Sequence, residues 1–136
     1  MAYYYKKMWT PETCRKYPTY LFIFGDNDVG RGKAGQAVIR DEPNAMGIPT
    51  KKEPSTYLNA FYTDREYASN IEKIRDAIES IKKQLDDYDA IMYPYNGIGT
   101  GLSQLEDRAP KTYTYLMKQI RALLKYAKAI KKVKKE

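Results

Sequence analysis

The 136-residue chain has no histidine, one cysteine, one tryptophan and three phenylalanines. Without histidine, the imidazole-based zinc arrangements and any catalytic triad with a histidine base are excluded. The lone Cys14 excludes an internal disulfide. No apolar run approaches the ~20 residues that a membrane-spanning helix needs. The opening residues, Met1 to Lys7, lack the apolar core of a signal peptide. The expectation is a cytoplasmic protein with no membrane partner, no metal and no cofactor. At this length a single domain, residues 1–136, can bury a core without staples.

Charge is plentiful but uneven. The formal net charge is +7, and residues 125–136 hold six lysines against one glutamate, a net +5, which leaves +2 for the first 124 residues. The body is therefore nearly neutral. The basic end reads as a solvated helix terminus; the alternative is a nucleic-acid contact made by that end together with the fourteen tyrosines.

Glycine is what the chain spends with purpose. Gly97, Gly99 and Gly101 alternate directly after the apolar run Ala90-Ile91-Met92-Tyr93, which reads as a buried strand. Alternate glycines at a strand's end let the backbone turn tightly and bring its N–H groups against a ligand. Glu106 to Pro110 then reads as an acidic cap with proline in the first turn, predicting a helix whose positive end points toward the loop. The bland alternative is a glycine-rich connection with no ligand.

A second unit has the same layout. Tyr20 to Phe24 is five large apolar residues in a row, bounded by Pro18 and Gly25, as expected for a central strand covered on both faces. It runs into Gly25-Asp26-Asn27-Asp28-Val29-Gly30-Arg31-Gly32-Lys33-Ala34-Gly35 and a short helix over Gln36 to Arg40. This is no Walker motif, because Gly32-Lys33 is followed by Ala34. Nor is it a dinucleotide fingerprint: Gly30, Gly32 and Gly35 have the spacing, but Pro54, Ser55 and Thr56 stand where an acidic residue is required. Two such units predict an α/β fold with a mixed or mostly parallel central sheet, helices on both faces, and a ligand outside the carboxyl ends of adjacent strands.

The remaining expectations are a first strand over Ala2 to Met8 near a sheet edge, a turn or helix start at Thr10, and a brief strand over Ala45 to Thr50. An amphipathic helix capped by Asp64 should bury Ile71, Ile74, Ile78, Ile81 and Leu85, with Glu72, Lys73, Arg75, Asp76, Glu79, Lys82 and Lys83 on a solvated face. A terminal helix from about Arg108 to Lys131 should bury Leu116, Ile120, Leu123, Leu124 and Ala127. Trp9 reads as core.

The stretch Pro94-x-x-Gly97-Ile98-Gly99-Thr100-Gly101-Leu102 resembles the second phosphate loop of macrodomains, the modules that bind ADP-ribose, and Gly25 to Ala37 resembles their first loop. The nearest branch is that of the terminal ADP-ribose glycohydrolases and the antitoxins that remove ADP-ribose from DNA, with small phage-encoded relatives carrying an Ile-Pro-Thr-Lys stretch, here Ile48 to Lys51. The resemblance covers roughly residues 20–110. It implies a three-layer macrodomain-like fold and an ADP-ribose-like small molecule or an ADP-ribosylated macromolecule as partner, in a host cytoplasm if the chain is phage-encoded. It also implies that Asn27 lies near the distal ribose, that Gly25, Asp28, Gly30, Arg31, Gly32, Lys33, Ala34, Gly35 and Thr50 surround the ligand, and that Gly97 to Leu102 hold the diphosphate. Lys51 matches the lysine that attacks the anomeric carbon in the glycohydrolase branch, with Asp26 or Asp28 orienting the sugar; non-catalytic capture of a nucleotide signal is the alternative. The chain departs from the pattern at Ser103, where that branch has an acidic residue, and at Met8-Trp9, where many macrodomains have a Gly-Asp pair against adenine.

Overall fold

In the computed structural model, which describes residues 1–135 and the side chains of residues 1–130, four strands form one all-parallel sheet among the described residues. They are β1 (Ala2–Tyr4), β2 (Tyr20–Asn27), β3 (Ala45–Lys51) and β4 (Ala90–Tyr93), in the order β1-β4-β2-β3. The helices are α1 (Pro11–Lys16), α2 (Tyr67–Gln84), α3 (Leu105–Arg108) and α4 (Pro110–Lys135). The lysine-rich end from residue 131 falls outside the residues whose side chains are described.

The continuous apolar run of β2 splits by parity, as a strand covered on both faces must. Leu21 and Ile23 join Ile91 and Tyr93 of β4 against Ile74, Ile78 and Ile81 of α2 and Leu116, Ile120 and Leu123 of α4. Phe22, Phe24 and Met92 face the other way, onto Trp9, Cys14 of α1, and Ala37 and Ile39. This is the expected α/β arrangement with helices on both faces, but the layers are unequal. One face carries two long helices, the other only the six residues of α1 and a 3-10 turn, Gly35–Ile39.

Adjacent β2 and β4 pair through Tyr20 with Ala90, Leu21 with Ile91 and Phe22 with Met92. The chain leaves β2 toward the α1 face and leaves β4 toward the α4 face. Their carboxyl ends thus diverge to form the crevice in which open parallel sheets take ligands.

Several sequence expectations need correction. β1 stops at Tyr4, with only the Tyr5 N–H still bonded to the Tyr93 carbonyl, because its neighbour β4 ends at Tyr93 and Pro94 offers no N–H. Residues Asp64–Glu66 form a 3-10 turn ahead of α2, and the Asp64 carboxylate caps a different helix. It accepts the N–H groups of Lys111 (2.9 Å) and Thr112 (3.1 Å) at the start of α4. Burial raises the Asp64 pKa, but these N–H groups and the Thr112 hydroxyl outweigh it and hold the carboxyl below its ordinary range. In α2 the buried stripe includes Asn70 while Ile71 is only half-buried, and Lys73 leaves the solvated face to reach Asp28 at 2.7 Å. The five residues expected on the inner side of α4 are all buried.

Candidate functional site

The segments following β2 and β4 line one cavity of about 630 Å³, within the range that takes drug-sized ligands. Of the residues singled out from sequence, Gly25, Asp26, Asn27, Arg31, Gly32, Lys33, Ala34, Gly35, Thr50, Lys51, Gly99, Gly101 and Leu102 line it; Asp28, Gly30, Gly97, Ile98 and Thr100 do not. Two loops about 70 residues apart in sequence therefore share a wall. They approach closely enough that a Cβ on Gly35, whose φ is +58°, would lie 3.3 Å from Leu102 Cδ1.

What joins the loops is Gln36, which sequence reasoning passed over as part of a short helix. Its Oε1 accepts the Gly25 N–H at 2.8 Å, and its Nε2 donates to Asn96 Oδ1 at 2.9 Å and to the Gly97 carbonyl. One side chain thus satisfies backbone and side-chain groups at the ends of both β2 and β4. Arg40 performs a similar service within the first loop. It pairs with Asp26 Oδ1 at 2.6 Å, donates to the carbonyls of Gly32 and Arg31, and lies over the Phe24 ring. Gly47 leaves the space for this pair, since a Cβ there would come within 2.6 Å of the Asp26 side chain.

The loops differ in what they leave unspent. Asn27 uses its carboxamide on the first loop itself, donating to the Arg31 carbonyl at 2.7 Å and accepting the Val29 N–H at 3.1 Å. Asp28 turns away from the cavity, accepting from the buried Tyr62 hydroxyl and from Lys73. By contrast, the N–H groups of the cavity-lining residues 31–35, 99, 101 and 102 have no protein acceptor among the described residues, leaving them free to meet an anion.

The helix end expected to assist them does not. The first N–H groups of α4 are taken by Asp64, and within the short α3 the Glu106 N–H bonds the Gly99 carbonyl. Any anion site here is a loop site. Gly99, at φ +94°, also turns its missing Cβ toward Tyr113, Leu105 and Leu116 at 3.2–3.3 Å, into the core. Gly101 has open space in that direction.

Lys51, the last residue of β3, is 8% exposed and lines the cavity. Its Nζ donates to the Ser55 carbonyl at 2.9 Å and lies 4.4 Å from the Phe61 ring centroid. Burial, and secondarily the positive charge of Arg108, lower its pKa. Lys52 instead points to Glu66 at 2.6 Å. Ser103 is buried at the cavity wall, and its Oγ has no hydrogen-bond partner. The one carboxylate lining the cavity among the described residues is Asp26, held by Arg40. Cys14 is fully buried in the core, where burial pushes its thiol up to about 12, so it is no nucleophile. Trp9 is core, its indole N–H bonded to the Gln36 carbonyl at 3.1 Å.

Among the described residues no cluster of three or more His, Cys, Asp or Glu side chains is arranged to hold a metal, and no helix is long and apolar enough to cross a membrane. None of the curated proteins and none of the solved structures matches the chain. A family model does match residues 4–119, a span that includes both loops, Gln36 and Lys51, and the chain therefore belongs to the family described as a family of unknown function (DUF7831).

Proposed function

We propose that the cleft binds ADP-ribose or a closely related nucleotide diphosphate. The observation that carries this reading is the shared cavity, in which two glycine-rich loops are latched by Gln36 and keep the N–H groups of residues 31–35, 99, 101 and 102 unspent. Backbone N–H groups without a protein acceptor favour a ligand that supplies acceptors only, and a diphosphate supplies several. The resemblance of both loops to macrodomain phosphate loops narrows the class to ADP-ribose-like molecules. Calorimetric titration with ADP-ribose, ADP and inorganic pyrophosphate tests it: the reading expects saturable binding of ADP-ribose, and a flat titration with all three sinks it.

A second reading, removal of ADP-ribose from a conjugate, is favoured by Lys51. Its amine is buried at the cavity wall with a lowered pKa, which raises the share of the neutral, nucleophilic form. In that reaction the amine lone pair attacks the anomeric carbon and the bond to the conjugated group breaks, that group leaving with a proton. The ring-opened imine is then hydrolysed by water, which frees ADP-ribose and restores the amine. The site supplies no unpaired carboxyl acid for the leaving group, because Asp26 is engaged by Arg40 and Ser103 occupies the other candidate position. Binding is therefore the primary reading, and slow turnover the secondary one. Borohydride trapping of the imine during incubation with an ADP-ribosylated substrate distinguishes them.

A further inference from the structure

The unequal layers leave part of the sheet covered by tyrosine side chains and not by a helix. On the α1 face, no helix among the described residues lies over the β1–β4 edge, and a second groove of about 500 Å³ opens there, lined by Met92 and by tyrosines. Three of these rings form a continuous stack: Tyr3 on Tyr20 with centroids 5.5 Å apart and planes 26° apart, and Tyr20 on Tyr17 at 5.7 Å and 4°. Tyr3 is 40% exposed, so the stack is open at the edge of the sheet.

The charge around the groove has one sign. Lys6 and Lys7 line it, Lys16 Nζ lies 5.6 Å from the Tyr17 ring centroid, and no acidic residue lines it. None of these lysines pairs with a carboxylate among the described residues. Four lysines elsewhere among the described residues do pair, Lys33 with Asp41, Lys52 with Glu66, Lys73 with Asp28 and Lys82 with Glu79, so their charge is partly neutralised where that of the groove is not. Unpaired point charges beside flat, half-exposed rings complement a partner that is polyanionic and carries planar apolar groups.

We propose that this tyrosine groove binds single-stranded nucleic acid, with bases extending the stack from its outer rings, Tyr3 above all, and phosphates meeting Lys6, Lys7 and Lys16. Aromatic stacking combined with backbone neutralisation is the usual physics of sequence-tolerant single-strand binding. The site is separate from the glycine-loop cleft and does not depend on what that cleft binds. The proposal does not draw on the lysines of the C-terminal end, which gives it a sharp control.

The test is fluorescence anisotropy with a labelled single-stranded oligodeoxythymidine, across a salt series, using the full chain. Neutralising three phosphates at the groove predicts a slope of log affinity against log salt of about −2. Lys6→Glu with Lys7→Glu, both at exposed positions that leave the fold untouched, should weaken binding about tenfold or more and flatten that slope. Tyr3→Ala with Tyr17→Ala should weaken it about tenfold with the slope retained, because stacking is lost and charge is not. Replacing Lys131, Lys132, Lys134 and Lys135 by Gln should leave the groove-dependent part in place. The proposal is overturned if the C-terminal replacements abolish binding while the groove variants do not. It is also overturned if polyglutamate competes as well per charge as the oligonucleotide, or if sedimentation shows a dimer that the Tyr3 and Tyr17 replacements dissociate and the oligonucleotide does not.

Discussion

Lys51 and Arg108 share one aromatic ring: the Lys51 ammonium lies 4.4 Å and the Arg108 guanidinium 4.0 Å from the centroid of Phe61. Two cations on one buried ring repel each other, and of the pair only the lysine can relieve the repulsion by losing its proton. The amine is therefore the reporter of this arrangement. Because burial and Arg108 lower the folded pKa, the charged form costs stability. The cost is fully present below the folded pKa and is relieved as pH rises toward the ordinary lysine value of about 10.4.

Reaction of Lys51 with an aldehyde or an ADP-ribose conjugate, followed by reductive trapping, should rise with pH through an inflection below that ordinary value. Arg108→Gln should move the inflection upward by removing the neighbouring charge, and Lys51→Ala should abolish the trapped adduct at this residue. Mass spectrometry of the adduct across a pH series measures all three. An inflection unchanged by Arg108→Gln would show that the pair is not coupled.

Gly99 and Gly101 should behave differently although they alternate in one loop. Gly101→Val puts a side chain into open space at the cavity wall, so the protein should melt near the wild-type temperature while its affinity for ADP-ribose falls about tenfold or more. Gly99→Val places a β-branched residue at φ +94° against Leu105 and Leu116 and should destabilise the fold itself, by about 2 kcal/mol or more. Thermal melts alongside calorimetry separate the two effects.

Gln36→Ala removes three hydrogen bonds that join the loops and leaves the Gly25 N–H and the Gly97 carbonyl without that partner. A loss of about 1–3 kcal/mol is expected in urea unfolding. Faster amide exchange should be confined to the segments around residues 25 and 96–97. Protection lost evenly across the molecule would argue against a local latch.

Asp64→Ala should cost about 1–2 kcal/mol by uncapping α4. The sign with pH is set by the lowered carboxyl pKa. The stabilisation is fully present above the unfolded value of about 3.9 and is lost as pH falls through the folded one. The gap between wild type and variant in urea unfolding should accordingly close on acidification from neutral pH.

The parts legible in the sequence are those written in a local pattern. The unbroken apolar run of β2, the three-and-four spacing of α2 and α4, and the glycines after β2 and β4 led to the sheet, its helical cover and the shared cavity. What escaped was set by partners distant in the chain. Asp64 looks like the cap of its own helix but binds the start of α4, 47 residues on, because the turn at Asp64–Glu66 carries the carboxylate there. Lys73 sits at a solvent-facing position of α2, yet the Asp28 carboxylate and the Tyr62 ring draw it in. Nothing local distinguishes Gln36 from an ordinary helix residue. Nor does spacing reveal that Gly99 faces the core and Gly101 does not, since that depends on where α4 packs.

The most direct measurement is calorimetric titration of ADP-ribose into the wild-type protein and into Gly101→Val at matched concentration, with the melting temperature of each recorded. The account predicts saturable one-to-one binding to the wild type, and binding at least about tenfold weaker to a variant that melts at the same temperature. Equal affinity for both proteins, or no heat of binding with the wild type, would contradict it.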